Sequence, residues 1–562
     1  MRIGTTVLGA VLLAGLASCT NEPPAAQGDV TGALSGELSA ISVLSSDGRS
    51  SMLYFLSVQG RAQPVQLAFD TDPNLPSRTS IRVWGAEQED GIFHVTRQAL
   101  VDGAGGTADD ETRRSELIGQ PSTQHTVAWV QMDVNGGGVN QTAAAANALI
   151  FGQGAGPLFG TKTGNKSLVQ YYDENSYGML KLTGQVEGPI PFSGTACNNF
   201  DPLAQNVVAQ VTAMGRTYDH YYLYWGSEQP CGPGWGEQGT RNKPGKNVWL
   251  NNDGTFCTAT GQEIGHNFGM MHASTMTCTG ATLANDTSTC TSNEYGNPMT
   301  VMGGGCGHLN AIEKWYDGFL LGCNAVKVKT TTTVTLLPIE IPCNGIQALQ
   351  IAMPSTAPTR TTTTDQSNGN VTVAYYYLEL RGGQGMDTGM KTGVYVHVAS
   401  DIPGPSSNGP RTFLLDMNPA TKAFDAMTAG QTFTDPAGGV SFTLNSFDAN
   451  SASVTVTITG GTGANTCVDG STLVGSGPAS CGMGAGGAGG AGGAGGMGGA
   501  GGSGGSGGSG GRGGSAGGSG GRGGGAGGSG GRGGAGGSGG SGGSTGGRGG
   551  SGATGTGGTA PN

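Results

Sequence analysis

Gly261-Gln262-Glu263-Ile264-Gly265-His266-Asn267-Phe268-Gly269-Met270-Met271-His272 is the stretch on which the reading of this chain turns. In a helix, Gln262 and His266 stand four residues apart and project from one face, with Glu263 beside them. Gly269 can take the left-handed backbone that ends a helix and turns the chain back, which brings His272 toward the same point from another direction. The spacing therefore predicts a metal held by Gln262, His266 and His272, with the Glu263 carboxylate in reach of a water at that metal.

A second feature follows downstream, where Tyr295-Gly296-Asn297-Pro298 leads into Val301-Met302-Gly303. Together the two stretches resemble the metzincin signature HExxHxxGxxH and its Met-turn, matched at Glu263, His266, Gly269, His272 and Met302, with Gln262 where the first histidine belongs. Within that clan the chain is most similar to the gametolysin family, some members of which carry glutamine there. Ser176-Tyr177-Gly178, His308-Leu309-Asn310-Ala311, Lys314-Trp315 and Tyr377-Leu378-Glu379-Leu380-Arg381 add to the likeness. The resemblance implies a zinc endopeptidase acting on extracellular or cell-wall proteins. Glu263 would be the general base, Met302 would lie beneath the metal, and the fold would be a metzincin-like α/β zinc-protease domain.

A catalytic zinc needs three protein ligands and one open position. A glutamine amide oxygen is a weaker donor to zinc than imidazole, so copper stands as the alternative metal. The other outcome is a catalytically inactive metzincin-like surface protein, serving adhesion or ligand binding. Retention of Glu263 speaks against it, because a binding shell has no use for a general base. His308, six residues past Met302, is a candidate replacement ligand or cleft residue, while the remaining histidines lack ligand spacing.

Composition limits what else the chain can do. Of its 112 glycines, 49 fall in residues 482–562, with Ser, Ala, four arginines and no acid, the composition of a flexible tail. The whole chain carries −11, so without those arginines the remaining residues carry −15. Such an acidic body, with no basic run, excludes nucleic acid as a partner. An apolar run at 7–16 has a signal-peptide layout and ends in Leu16-Ala17-Ser18-Cys19, which resembles a bacterial lipobox with Cys19 as the lipidated residue. The alternative is an ordinary signal peptide cleaved nearby. The expectation is an exported outer-membrane or cell-surface lipoprotein, or one released from the surface, touching membrane only through that anchor. Substrate sequence and oligomeric state are not legible.

Ten cysteines besides Cys19 fit five disulfides in an oxidising compartment. Cys467 and Cys481, apart from the others, are expected to pair with each other. The predicted organisation is multidomain, α/β plus all-β. It runs from a lipoprotein signal peptide (1–18) and linker (19–38) to an N-terminal β-domain or propeptide (39–120), a catalytic domain (121–329), a C-terminal β-sandwich (330–460) and a Cys-containing junction with a disordered Gly-rich tail (461–562). Arg113-Arg114 offers a processing point before the catalytic part. The absence of cysteine from residues 20–120 excludes latency through a thiolate on the metal.

Overall fold

The computed structural model describes residues 32–44, 50–61, 63–101, 123–152, 166–197, 199–226, 234–251, 257–363, 370–421 and 423–481. Cys19, the signal peptide, Arg113-Arg114, Cys231 and the Gly-rich tail lie outside them.

Five strands open the fold: β1 (Gly32–Leu44), β2 (Ser50–Val58), β3 (Val65–Phe69), β4 (Ser80–Glu87) and β5 (Phe93–Leu100). They pair in the order β1-β2-β3-β5-β4 and close back onto β1, so they make a small barrel. Closure brings strands close together at Gly36 and Gly85, where a Cβ would run into the carbonyls of Ser57 and His94. Leu38, Ala40, Leu56, Leu67, Ile81 and Val83 fill the interior. Strand β1 starts at Gly32, so residues 32–38 belong to this barrel and not to a linker.

The barrel strands continue into a larger sheet. It adds β6 (Thr123–Val134), β7 (Leu180–Phe192), β8 (His220–Trp225), β9 (Gly234–Glu237) and β10 (Asn247–Asn251). The ten-stranded order is β2-β3-β5-β4-β1-β9-β10-β8-β6-β7. Strand residues alternate between two cores, because successive side chains point to opposite faces. Trp129, Tyr222 and Leu250 face α1 (Ala143–Ile150), α2 (Leu168–Asn175) and α4 (Cys257–Asn267), while Val130, Leu223 and Trp249 face α3 (Phe200–Ala213).

After α4 come β11 (Ala273–Cys278), β12 (Cys290–Asn293) and the short helix α5 (Ala311–Tyr316). The rest is strand: β13 (Ala325–Val328), β14 (Thr332–Leu336), β15 (Ala348–Ala352), β16 (Arg360–Thr363), β17 (Asn370–Val373), β18 (Tyr375–Arg381), β19 (Gly393–Ala399), β20 (Thr412–Leu415), β21 (Thr432–Thr434), β22 (Val440–Phe447), β23 (Ala452–Ile458) and β24 (Thr466–Cys467). An eight-stranded sheet, β12-β11-β20-β19-β18-β15-β13-β24, shares an apolar core with the four-stranded sheet β14-β23-β22-β21.

This architecture overturns the expected α/β metzincin-like catalytic domain flanked by separate β-domains. With 24 strands and five α-helices among the described residues, the body is predominantly β. The physical reason lies in the pairing. Strand β9 hydrogen-bonds to barrel strand β1, and β11 runs parallel to β20, so both large sheets cross the expected domain limits near residues 120 and 330. Spacing and periodicity identify strands one at a time but do not report which distant strand completes a sheet.

Four disulfides join described residues: Cys257–Cys306, Cys278–Cys290, Cys323–Cys467 and Cys343–Cys481. The expected Cys467–Cys481 pairing is therefore corrected. Each of the two reaches back across more than 130 residues to clip the C-terminal segment onto the eight-stranded sheet. Such a bridge count fits an oxidising, extracellular setting. No described helix is long and apolar enough to cross a membrane.

Candidate metal centre

Helix α4 is fixed along its whole length. Its first residue is tied through Cys257–Cys306, and Tyr222 and Tyr172 donate their hydroxyls to the carbonyls of Thr260 (2.6 Å) and Gly261 (2.7 Å). Gly269, at φ +96°, ends it: Gly269 N–H donates to His266 O and Met270 N–H to Gly265 O, the paired bonds of a Schellman cap. A Cβ at Gly269 would strike the Tyr316 hydroxyl. The turn predicted from sequence forms, and His272 swings back to His266.

The two imidazoles meet edge to edge, with Nε2 of His266 3.0 Å from Nε2 of His272. Their other nitrogens fix the tautomers. His266 Nδ1 lies 2.9 Å from the Met270 carbonyl, and His272 Nδ1 lies 2.6 Å from Glu294 Oε1. Carbonyl and carboxylate oxygens only accept, so each Nδ1 carries a proton, and a neutral ring then presents its Nε2 lone pair. The two Nε2 atoms face each other at a buried site.

Burial holds His266 well below the usual imidazole range, while the Glu294 carboxylate faces the His272 ring at ion-pair distance. Two nitrogens at ordinary zinc distances in tetrahedral geometry stand roughly 3.3 Å apart, close to the observed spacing. The Gln262 amide sits one turn before His266 on the same helix, 2% exposed, with no hydrogen-bond partner for its nitrogen. Among the described residues no group of three or more His, Cys, Asp or Glu is gathered to hold a metal. The groups brought together here are the two imidazoles of His266 and His272, with Gln262 buried one turn earlier on the same helix.

Glu263 is the other unsatisfied group. It is 1% exposed, neither carboxylate oxygen has a partner, and burial pushes its pKa well up. It packs against β9 at Gly234 and Gly236, where any side chain would collide with it. Met302 is fully buried, with its sulfur against Gly265, and its carbonyl accepts from Ala273 N–H at 2.7 Å. The Met-turn thus lies against α4, one residue from His266.

Sequence reasoning missed Glu294 and Arg411. Glu294 Oε1 takes the His272 ring proton and also accepts from Arg411 Nη1 at 2.9 Å. Nothing in local spacing marks them, since the partners are brought together by the β11–β20 pairing. His308 is not at this centre. Its Nε2 meets Glu174 Oε1 at 3.0 Å and its Nδ1 faces the Lys314 ammonium at 3.4 Å, within a buried polar cluster. A separate cavity of about 390 Å³, lined by Arg241, Trp315, Tyr316, Lys327 and Ile402, also lies away from the two imidazoles.

No protein-family model and no curated protein matches the chain. Among solved structures, one described as "Structure of a chaperone-substrate complex" aligns at 14% identity and a TM-score of 0.19, over 45% of this chain and 46% of its own length. This chain therefore spans less than half of that one, and at that score the alignment carries no argument. These comparisons lend no support to the gametolysin resemblance, so the functional reading rests on the site.

Proposed function

We propose that the protein is an exported metal-dependent peptide hydrolase. His266, His272 and the Gln262 amide hold a divalent cation, zinc or copper, and Glu263 is the general base. The observation that carries this reading is the convergence of the His266 and His272 Nε2 atoms to 3.0 Å, with each Nδ1 turned to an acceptor. A cation bound there supplies Lewis acidity and draws the pKa of water toward neutrality.

The protein's own groups do the rest. Glu263, with both carboxylate oxygens uncommitted, accepts a proton from the attacking water and returns it to the leaving amine. Glu294, steadied by Arg411, holds the His272 ring in the tautomer that presents Nε2. Met302 and the Tyr172 and Tyr222 hydroxyls keep α4 from shifting while this happens.

Substrates on this reading are extracellular proteins or peptides, and Cys19 carries a lipid that keeps the chain at the bacterial surface. Purified full-length chain should contain metal by mass spectrometry and cleave casein in a chelator-sensitive way, with Glu263→Gln abolishing cleavage. Cleavage that survives both chelator and Glu263→Gln contradicts the reading. The near-complete burial of Glu263 favours a second reading, a non-catalytic shell, which predicts bound metal and no cleavage under any condition.

A further inference from the structure

The cavity of about 390 Å³ beside Trp315 adjoins a second of about 170 Å³, and Gln262, Glu263, His266 and His272 line neither. Both are walled by Arg241, Gly318 and Leu321, so Arg241 stands where they meet. The larger cavity is of a size that takes a small molecule.

Its walls are fixed before any ligand arrives. Thr466 of β24 pairs with Lys327 of β13, and the Cys323–Cys467 bridge clips the same segment down. Just beyond, Val468 N–H donates to the carbonyls of Gly322 and Ala325, at 3.0 Å each. On the opposite side, Asn242 N–H donates to Pro405 O at 2.9 Å and Asn242 Nδ2 to Ser406 Oγ at 3.1 Å. Much of the lining between is apolar, since Trp315, Tyr316, Leu320 and Ile402 belong to one buried cluster. A cavity shaped in advance costs a ligand little ordering on entry.

The charge of this lining is opposite to that of the chain. Arg241, Lys327 and Lys329 stand against a single carboxylate, Asp469, in a protein that carries −11. Among the described residues neither Arg241 nor Lys329 has a carboxylate within ion-pair distance, and Lys327 meets Asp401 loosely at 3.6 Å. In the smaller cavity Asp317 balances Arg241, so the excess positive charge lies toward the larger one.

Arg241 is also held in place. Its backbone N–H donates to Tyr316 Oη at 3.2 Å, its Nη1 donates to Tyr316 O at 3.3 Å, and its guanidinium lies against Gly318, where a Cβ would collide with it. Its Nε and Nη2 have no acceptor among the described residues. Burial depresses its pKa, with Asp317 acting the other way. A fixed guanidinium with uncommitted donors beside an apolar wall is suited to a carboxylate carried on an apolar body.

We propose that the larger cavity binds an apolar carboxylate, with its acyl or aryl body against Trp315 and Ile402 and its charged end on Arg241. Lys327 and Lys329 supply the field that draws an anion to an otherwise acidic protein. The site stands independently of the hydrolase reading, because it uses no residue of the metal centre. A free fatty acid and the C-terminus of an apolar peptide share this chemistry.

Titration calorimetry on the full-length chain separates the two sources. Octanoate is the fatty-acid probe, with 1-octanol as its neutral counterpart; acetyl-Leu-Phe with a free C-terminus is the peptide probe, with its amide as counterpart. One carboxylate should bind per chain, and whichever probe binds more tightly identifies the source. Its neutral counterpart, and Arg241→Gln with the carboxylate itself, should each bind at least about tenfold more weakly, the loss of one charge-assisted contact. Should Arg241→Gln fail to fold, the pair Lys327→Gln with Lys329→Gln should weaken binding at least about threefold and flatten its dependence on salt. Binding of neither carboxylate overturns the proposal, as does binding that the neutral counterparts match or that the folded variants leave unchanged.

Discussion

At the scale of residues, the account depends on which atoms carry lone pairs. Gln262→His exchanges an amide for an imidazole and should slow loss of zinc in a chelator titration by tenfold or more; unchanged retention would mean that the side chain points elsewhere. Glu294→Ala removes the acceptor of the His272 ring proton and should weaken metal retention by about 10- to 100-fold while leaving α4 intact. Glu263→Gln should keep the metal and lower casein turnover by about 10²- to 10⁴-fold. The approach of His272 to His266 and the placing of Met302 against α4 were legible because they depend on one helix, its cap and one turn. Glu294 and Arg411 were not, since 117 positions separate them and only tertiary pairing joins them.

At the scale of elements, α4 works because two glycines leave room where neighbours press in. Gly269→Ala meets both a positive φ and the Tyr316 hydroxyl, so it should destabilise the fold by more than about 1 kcal/mol in urea unfolding and loosen metal with it. An unchanged midpoint would remove the Schellman cap from the argument. Gly265→Val would press on the Met302 sulfur and should disturb the centre even though it lies outside the donor set. Helix α4 was readable from the helical spacing of Gln262 and His266 and from the glycine that ends it. The disulfides were not: isolation of Cys467 and Cys481 in sequence suggested a mutual bridge, whereas chain return across the eight-stranded sheet gives each a distant partner.

At the scale of the whole molecule, a buried ionic cluster joins the segment after the Met-turn to the eight-stranded sheet. Glu379 accepts from Ala311 N–H and from Arg381 Nε, and Arg381 in turn reaches Asp387 Oδ2 and the His308 carbonyl. Burial raises the Glu379 carboxyl, but Arg381, then His397, outweigh it and hold it at about 2. A depressed carboxylate contributes stability that is complete above its unfolded pKa of roughly 4.3 and is lost as pH falls through the folded value. Urea midpoints should therefore fall between pH 5 and pH 2, by an amount on the order of 3 kcal/mol from this group. Glu379→Gln should cost about 3–5 kcal/mol at neutral pH and flatten that slope, since Arg381 loses a buried partner. The fold class was misread from sequence at this scale, because the sheets are completed by β1 on β9 and β20 on β11. The most direct test of the central claim is X-ray absorption on zinc-loaded full-length chain beside its His266→Ala and His272→Ala variants. The account predicts two imidazole nitrogens at about 2.0–2.1 Å from one zinc per chain, and loss of that zinc in either variant. Zinc that binds equally well to both variants, or none bound by the native chain, would contradict it.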